Sequence, residues 1–155
     1  MTEAQSSAIS RMRVGDIMTK SVRTASPSAT LREVAEMMRN GDMGAVPIVD
    51  ENKLVGIVTD RDIVVRGVSE GLTSGAAISE VMTTELFTVT SDEFAFEAIR
   101  LMGDKQIRRI PVVNADGSLA GIVAIADIAL EMEDEQEIAS TLEEISSGAS
   151  FWSKK

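Results

Sequence analysis

The chain has 155 residues, 44% hydrophobic and 26% charged, enough for one compact domain or two very small ones. It contains no Cys and no His, which excludes a Ser-His-Asp triad, a cysteine nucleophile, a Cys/His zinc site and a disulfide framework. A net charge of −10 argues against nucleic-acid polymers and anionic membrane surfaces, both of which need clustered Lys and Arg.

Residues 1–13 lack the apolar core of a secretory signal. The longest apolar run, Leu119 to Ala126, is far short of the ~20 residues that span a bilayer. The expectation is a cytoplasmic protein. Aromatics make up 3%, so Val, Ile, Leu, Ala and the nine Met must build the core.

The first recurring motif, Asp16-Ile17-Met18-Thr19, returns as Glu80-Val81-Met82-Thr83, 64 positions later. Thr24 returns as Thr88, Met38 as Met102, and Val46-Pro47-Ile48-Val49 as Ile110-Pro111-Val112-Val113 at the same offset. Leu54–Val58 returns as Leu119–Val123 at an offset of 65, so one residue is inserted in the turn 114–118. Two copies of one unit tolerate an insertion at such a place.

Each copy opens on a short extended piece, Ser21 to Thr24 or Leu86 to Val89. A helix follows. Leu31, Val34, Ala35 and Met38 form one apolar stripe, matched by Ala95, Ala98, Ile99 and Met102. Thr30 with Glu33 and Thr90 with Glu93 have capping-box spacing near the helix starts. Two apolar strands come next, Ala45–Val49 and Leu54–Val58 in copy one, Arg109–Val113 and Leu119–Ile125 in copy two. Polar turns join them as hairpins. Their apolar density predicts a sheet covered by helices on one face and by its twin on the other. A second helix starts near Asp60 and near Ala126. The division expected is an N-terminal extension 1–13, repeat one 14–69, a linker 70–77, repeat two 78–130, and an acidic C-terminal helix and tail 131–155. Phe151 and Trp152 stand out in that tail, as an incidental exposed pair or a docking element.

The duplicated motif, the Val46-Pro47 strand and Gly56-Ile57-Val58-Thr59-Asp60-Arg61-Asp62-Ile63, in this order and spacing, resemble a tandem pair of CBS domains. These are named after cystathionine β-synthase, and two in tandem form a Bateman module. The resemblance covers roughly Val14 to Leu130. It is similar to stand-alone bacterial CBS-pair proteins, including hypoxia-responsive ones of actinobacteria.

The resemblance implies an α+β fold, two βαββα repeats packed sheet to sheet with pseudo-two-fold symmetry, associating into a disk-like homodimer. It implies a non-catalytic regulatory function, with AMP, ADP or ATP, S-adenosylmethionine or NAD bound in clefts between the repeats and no metal. An unidentified regulated protein would read the signal. An interaction module with vestigial clefts is the alternative. An enzyme is not expected, since no activated nucleophile or base is recognisable.

Thr59 and Asp62 stand where a strand gives way to a helix. The hydroxyl can serve a phosphate and the carboxylate a ribose diol; the same pair reads equally as a helix cap. Arg61 lies between them. Copy two keeps Asp127 and has Ala124 where copy one has Thr59. Before Pro111 stand Arg108 and Arg109, suited to phosphates or to surface ion pairs; before Pro47 stand Gly44 and Ala45. The resemblance implies an adenine floor at Leu86, Thr88 and Ile107 for the Asp62 cleft. For the cleft of Asp127, Arg108 and Arg109 it implies a floor at Val22, Thr24, Met43, Gly44 and Ala45. Simple core packing is the alternative for the apolar members.

Overall fold

The computed structural model describes residues 11–131 and Glu143. The expected acidic helix, Phe151 and Trp152 lie outside the described residues, apart from Glu131 and Glu143. The described chain forms two compact units, one of residues 21–86 with 116–119, the other of residues 11–20, 87–115 and 120–131.

The first unit begins with an extended segment and then helix α2, Leu31–Gly41. (Helix α1, Val14–Ile17, belongs to the second unit.) Thr30 caps α2 reciprocally: its hydroxyl accepts the Glu33 N–H at 3.1 Å while the Glu33 carboxylate accepts the Thr30 N–H at 3.1 Å. The apolar stripe buries Leu31, Val34 and Met38. The helix stops at Asp42, which adopts a left-handed conformation at φ 49°. Strands β1 (Ala45–Asp50) and β2 (Lys53–Thr59) form an antiparallel hairpin from Ala45↔Thr59 to Asp50↔Lys53. Its two-residue turn places Glu51 and Asn52 at φ 49° and 62°, the geometry that matches strand twist. The core of this unit includes Leu31, Val34, Met38, Val46, Ile48, Val58, Ile78 and Val81.

A short helix α3, Asp60–Asp62, follows β2 and passes into a π-helical segment, Ile63–Val68. Its i−5 bonding is seen in the Ser69 N–H donating to the Val64 carbonyl at 3.0 Å. A 3₁₀ turn, Ile78–Glu80, lies at the end of the expected linker.

The second unit repeats the plan with α4 (Ala95–Lys105), β3 (Arg109–Val113), β4 (Leu119–Ala124) and α5 (Ile125–Glu131). Its core includes Val14, Val89, Ala98, Met102, Ile110, Val112, Val123 and Ile128. Two expectations need correction. Strand β4 ends at Ala124, one residue earlier than read, because the Asp127 carboxylate accepts the Ala124 N–H at 2.8 Å and starts the helix there. Thr90 and Glu93 do bond, with the Thr90 N–H to Glu93 Oε2 at 2.6 Å, but in a turn ahead of α4. The N-cap of α4 is Phe94, and the free Ala95 N–H is accepted by the Met12 carbonyl at 2.8 Å.

That last bond belongs to a set repeated between the two copies, at an offset of 64 residues and of 65 within the second strand of each hairpin. In the first unit the Leu31 N–H donates to the Ala76 carbonyl at 2.9 Å, the Ile78 N–H to Ala29, and Thr83 exchanges both backbone bonds with Ile57. In the second unit the Ala95 N–H reaches Met12, and Thr19 exchanges both bonds with Ile122. Each hairpin is therefore edged on one side by the residues that introduce a repeat in sequence. On its other edge runs a parallel bridge, Ala25↔Ile48 or Val89↔Val112.

Candidate functional site

The two strand-to-helix junctions carry the polar side chains singled out in the sequence. At the first, Thr59 leaves β2 in an extended conformation (φ −111°, ψ 164°) and ends the strand. Its N–H donates to Asp62 Oδ2 at 2.9 Å, and its Oγ1 accepts the Asp62 N–H at 3.1 Å. The cap reading of this pair is realised. It leaves Asp62 Oδ1 near the Arg66 Nε at 3.9 Å, with the Asp62 side chain 15% exposed. A carboxylate has acceptor capacity for about four hydrogen bonds, so the capped Asp62 can still receive hydroxyl donors. Two further bonds complete the turn: the Asp60 N–H donates to the Gly44 carbonyl at 3.1 Å, and the Arg61 N–H donates to Asp60 Oδ1 at 2.9 Å.

The second junction has the same backbone plan. Asp127 Oδ2 accepts the Ala124 N–H at 2.8 Å, and the Ile125 N–H donates to the Arg108 carbonyl at 2.9 Å. Gly44 and Arg108 are thus equivalent, each offering its carbonyl to the first helical residue. Asp127 is half-buried, and Arg108 and Arg109 are exposed.

The structure gathers Gly44 with Thr59, Asp60, Arg61 and Asp62 in one unit, and Arg108 with Ala124 and Asp127 in the other. Val22, Met43, Leu86 and Ile107 are half-buried, Thr24 and Thr88 exposed, and Ala45 buried. Met43 and Ile107 also pack against their cores, so the packing reading holds for both whatever else they do. Asp60, exposed at the first junction, aligns with the uncharged Ile125 at the 65-residue offset.

Among the described residues no three acidic side chains gather where they could hold a metal ion. None of the described helices is long and apolar enough to cross a membrane.

A profile of the CBS domain matches residues 14–68 and again 78–134. The CBS domain-containing protein YhcV of Bacillus subtilis is 39% identical over 133 residues, covering 86% of this chain and 94% of its own. Among solved structures, Hypoxic Response Protein I with two coordinated zinc ions is 36% identical with a TM-score of 0.71, over 77% of this chain and 98% of its own. The CBS domain pair of protein MJ0100, solved with 5′-methylthioadenosine and S-adenosyl-L-methionine, is 32% identical with a TM-score of 0.70, over 77% of this chain and 94% of its own. This chain has no Cys or His to offer zinc. The mixed helix-and-strand fold, the twice-built junction and these matches agree: the chain belongs to the CBS domain family and carries two CBS domains in tandem.

Proposed function

We propose that this CBS pair is a non-catalytic regulatory module that binds an adenosine-containing ligand, with AMP, ADP and ATP as its nucleotide candidates and S-adenosylmethionine or NAD as the others. One observation carries the reading. A carboxylate, Asp62 or Asp127, is fixed at the same strand-to-helix junction in both units by a backbone N–H three residues earlier. A carboxylate held in this way is ordered in advance, so receiving a ribose diol costs little further side-chain entropy. Arg61, Arg108 and Arg109 are the cations for phosphate, and Thr59 supplies a hydroxyl at the first junction. Val22, Thr24, Met43, Gly44, Ala45, Leu86, Thr88 and Ile107 supply small and apolar surface for adenine.

Calorimetry and thermal unfolding with AMP, ADP, ATP, S-adenosylmethionine and NAD test the proposal. A ligand at a hundredfold excess over its Kd stabilises the fold by about 2.7 kcal/mol. The double variant Asp62→Ala/Asp127→Ala loses that gain. The reading fails if none of the five shifts the transition, or if the shift survives in the double variant.

The interaction-module reading has its own support in exposed apolar side chains. Val64, Val65 and Val68 are 57%, 47% and 68% exposed on the π-helical segment, and Leu130 is 84% exposed on α5. A homodimer could bury the exposed valines of the π-helical segment. Sedimentation with and without ligand separates a dimer that answers to nucleotide from one that ignores it.

A further inference from the structure

Phe151 and Trp152 have no part in holding a nucleotide, and the tail that carries them changes charge along its length. Residues 131–144 hold seven carboxylates and no cation; residues 145–155 hold Lys154 and Lys155 and no acidic side chain. Helix α5 packs against α4 and ends at Glu131 with Leu130 84% exposed, so the tail sets out beside α4.

Glu97, Arg100 and Asp104 fall at i, i+3 and i+7 on α4 and share one face. Together with Glu93, Val89, Leu101 and Thr88 at its edge, they line an open groove of about 230 Å³ within the second unit. That exceeds the ~150 Å³ that accommodates benzene. Arg100 ties the groove to an aromatic stack: its guanidinium carbon is 6.0 Å from the Phe96 ring centroid, and Phe96, 37% exposed, stacks on Phe94 at 5.6 Å. At the 64-residue offset the first unit has Ala29, Thr30, Arg32, Glu33, Glu36 and Asn40, so neither the stack nor this set of charges is demanded by the fold of a repeat. The charged side chains of residues 87–105 are Asp92, Glu93, Glu97 and Asp104 against Arg100 and Lys105, net −2. Arg13, which lies over the Phe94 ring, and Asp16, which accepts the Arg13 N–H, cancel.

We propose that this groove is the docking site of the chain's own residues 149–155, with the Trp152 indole against Val89 and Leu101 and with Lys154 and Lys155 toward Glu97 and Asp104. An indole brings an apolar body and one N–H, which a groove carboxylate accepts, and Arg100 supplies a cation for its face. The two lysines meet a surface of opposite charge. Residues 131–144 are repelled by the same carboxylates and serve as the tether, so the basic end is the part that settles. From Glu131 to Trp152 the chain runs 21 residues, up to ~70 Å when extended. A unit of this size has a radius of gyration of about 10 Å, so the reach is ample. Nothing in this docking requires a nucleotide.

Trp152 is the only Trp and the chain has no Tyr, so the intrinsic fluorescence of the full chain reports on the tail alone. The expected emission lies to the blue of free tryptophan, is protected from acrylamide, and does not change on dilution. Glu97→Lys/Asp104→Lys shifts it to the red and removes the protection. Lys154→Glu/Lys155→Glu, which leaves the groove untouched, does the same, and combining the two pairs restores the blue emission. The urea midpoint, followed by circular dichroism, checks that each variant is folded. The proposal is overturned by the emission of free tryptophan in the unmodified chain, or by blue emission that survives charge reversal in the groove or in the tail. Emission that reddens on dilution also overturns it, since the groove then takes the tail of a second copy.

Discussion

Replacing Gly121 by Ala tests how the residues that introduce repeat one are locked to the second unit. Gly121 lies in β4 with no side chain, and a Cβ built there would sit 2.5 Å from the Thr19 carbonyl oxygen and 2.9 Å from the Met18 sulfur. The methionine end can swing away; the carbonyl cannot, because Thr19 and Ile122 exchange N–H···O bonds of 2.8 and 3.0 Å. Relief therefore stretches two backbone bonds, each worth about 1 kcal/mol, or overpacks the strand at about 1–3 kcal/mol. Lower freedom of the unfolded chain returns about 0.4–1 kcal/mol. The net loss is about 1–2 kcal/mol. At the matching Gly56 the Cβ meets the Met82 sulfur at 2.7 Å, but the nearest backbone oxygen, of Thr83, is 3.2 Å away. Gly56→Ala is accordingly milder, about 1 kcal/mol, and Met82→Ala relieves much of its clash, whereas Met18→Ala does little for Gly121→Ala. Equilibrium urea unfolding of the four variants measures these differences. Equal losses at the two glycines, or full rescue of Gly121→Ala by Met18→Ala, would refute the backbone-lock argument.

Two further outcomes follow from charge and composition. The Ser118 hydroxyl and N–H donate to Asp116, and the Thr90 hydroxyl donates to Asp92, holding both carboxyls below their ordinary 3.8. A depressed folded-state pKa gives stability that is present above the unfolded value and is lost as pH falls through the folded one. The urea midpoint should hold down to about pH 5 and fall below about pH 4, less steeply in Asp92→Asn/Asp116→Asn; identical slopes would contradict the hydrogen-bond cause. Because the chain offers no Cys or His, zinc should neither raise the thermal midpoint nor survive dialysis. One equivalent of retained zinc by mass spectrometry would show a carboxylate site that composition conceals.

Much of the fold was legible because the repeat offset aligned residues of like burial. Val46 with Ile110 and Met38 with Met102 are equivalent in sequence and buried in matching cores. The Thr30–Glu33 cap was legible because its chemistry is local. The Thr90–Glu93 pair misled for the same reason: capping-box spacing also closes a turn, and the true start of α4 is served by a backbone carbonyl from Met12, which leaves no side-chain signature. The π-helical segment was invisible because Ile63–Val68 has apolar residues that suit α and π periods alike. The junction carboxylates were found through family spacing.

The pairing of introductory segments with hairpins bears on the sites directly. Ile57, two residues before Thr59, gives both its N–H and its carbonyl to Thr83. Ile122, two residues before Ala124, does the same with Thr19. Each junction therefore stands at the end of a strand held on one side by its hairpin partner and on the other by a segment distant in sequence. A strand bonded on both edges fixes where its last residue points, and that residue aims the carboxylate three positions on. The recurring motif ending in Thr19 and Thr83 then has a reason to be duplicated alongside the two junctions: it braces the strand from which each carboxylate is presented. A shift of that brace would move Asp62 or Asp127 without touching any ligand, which couples the position of these segments to the geometry of the site.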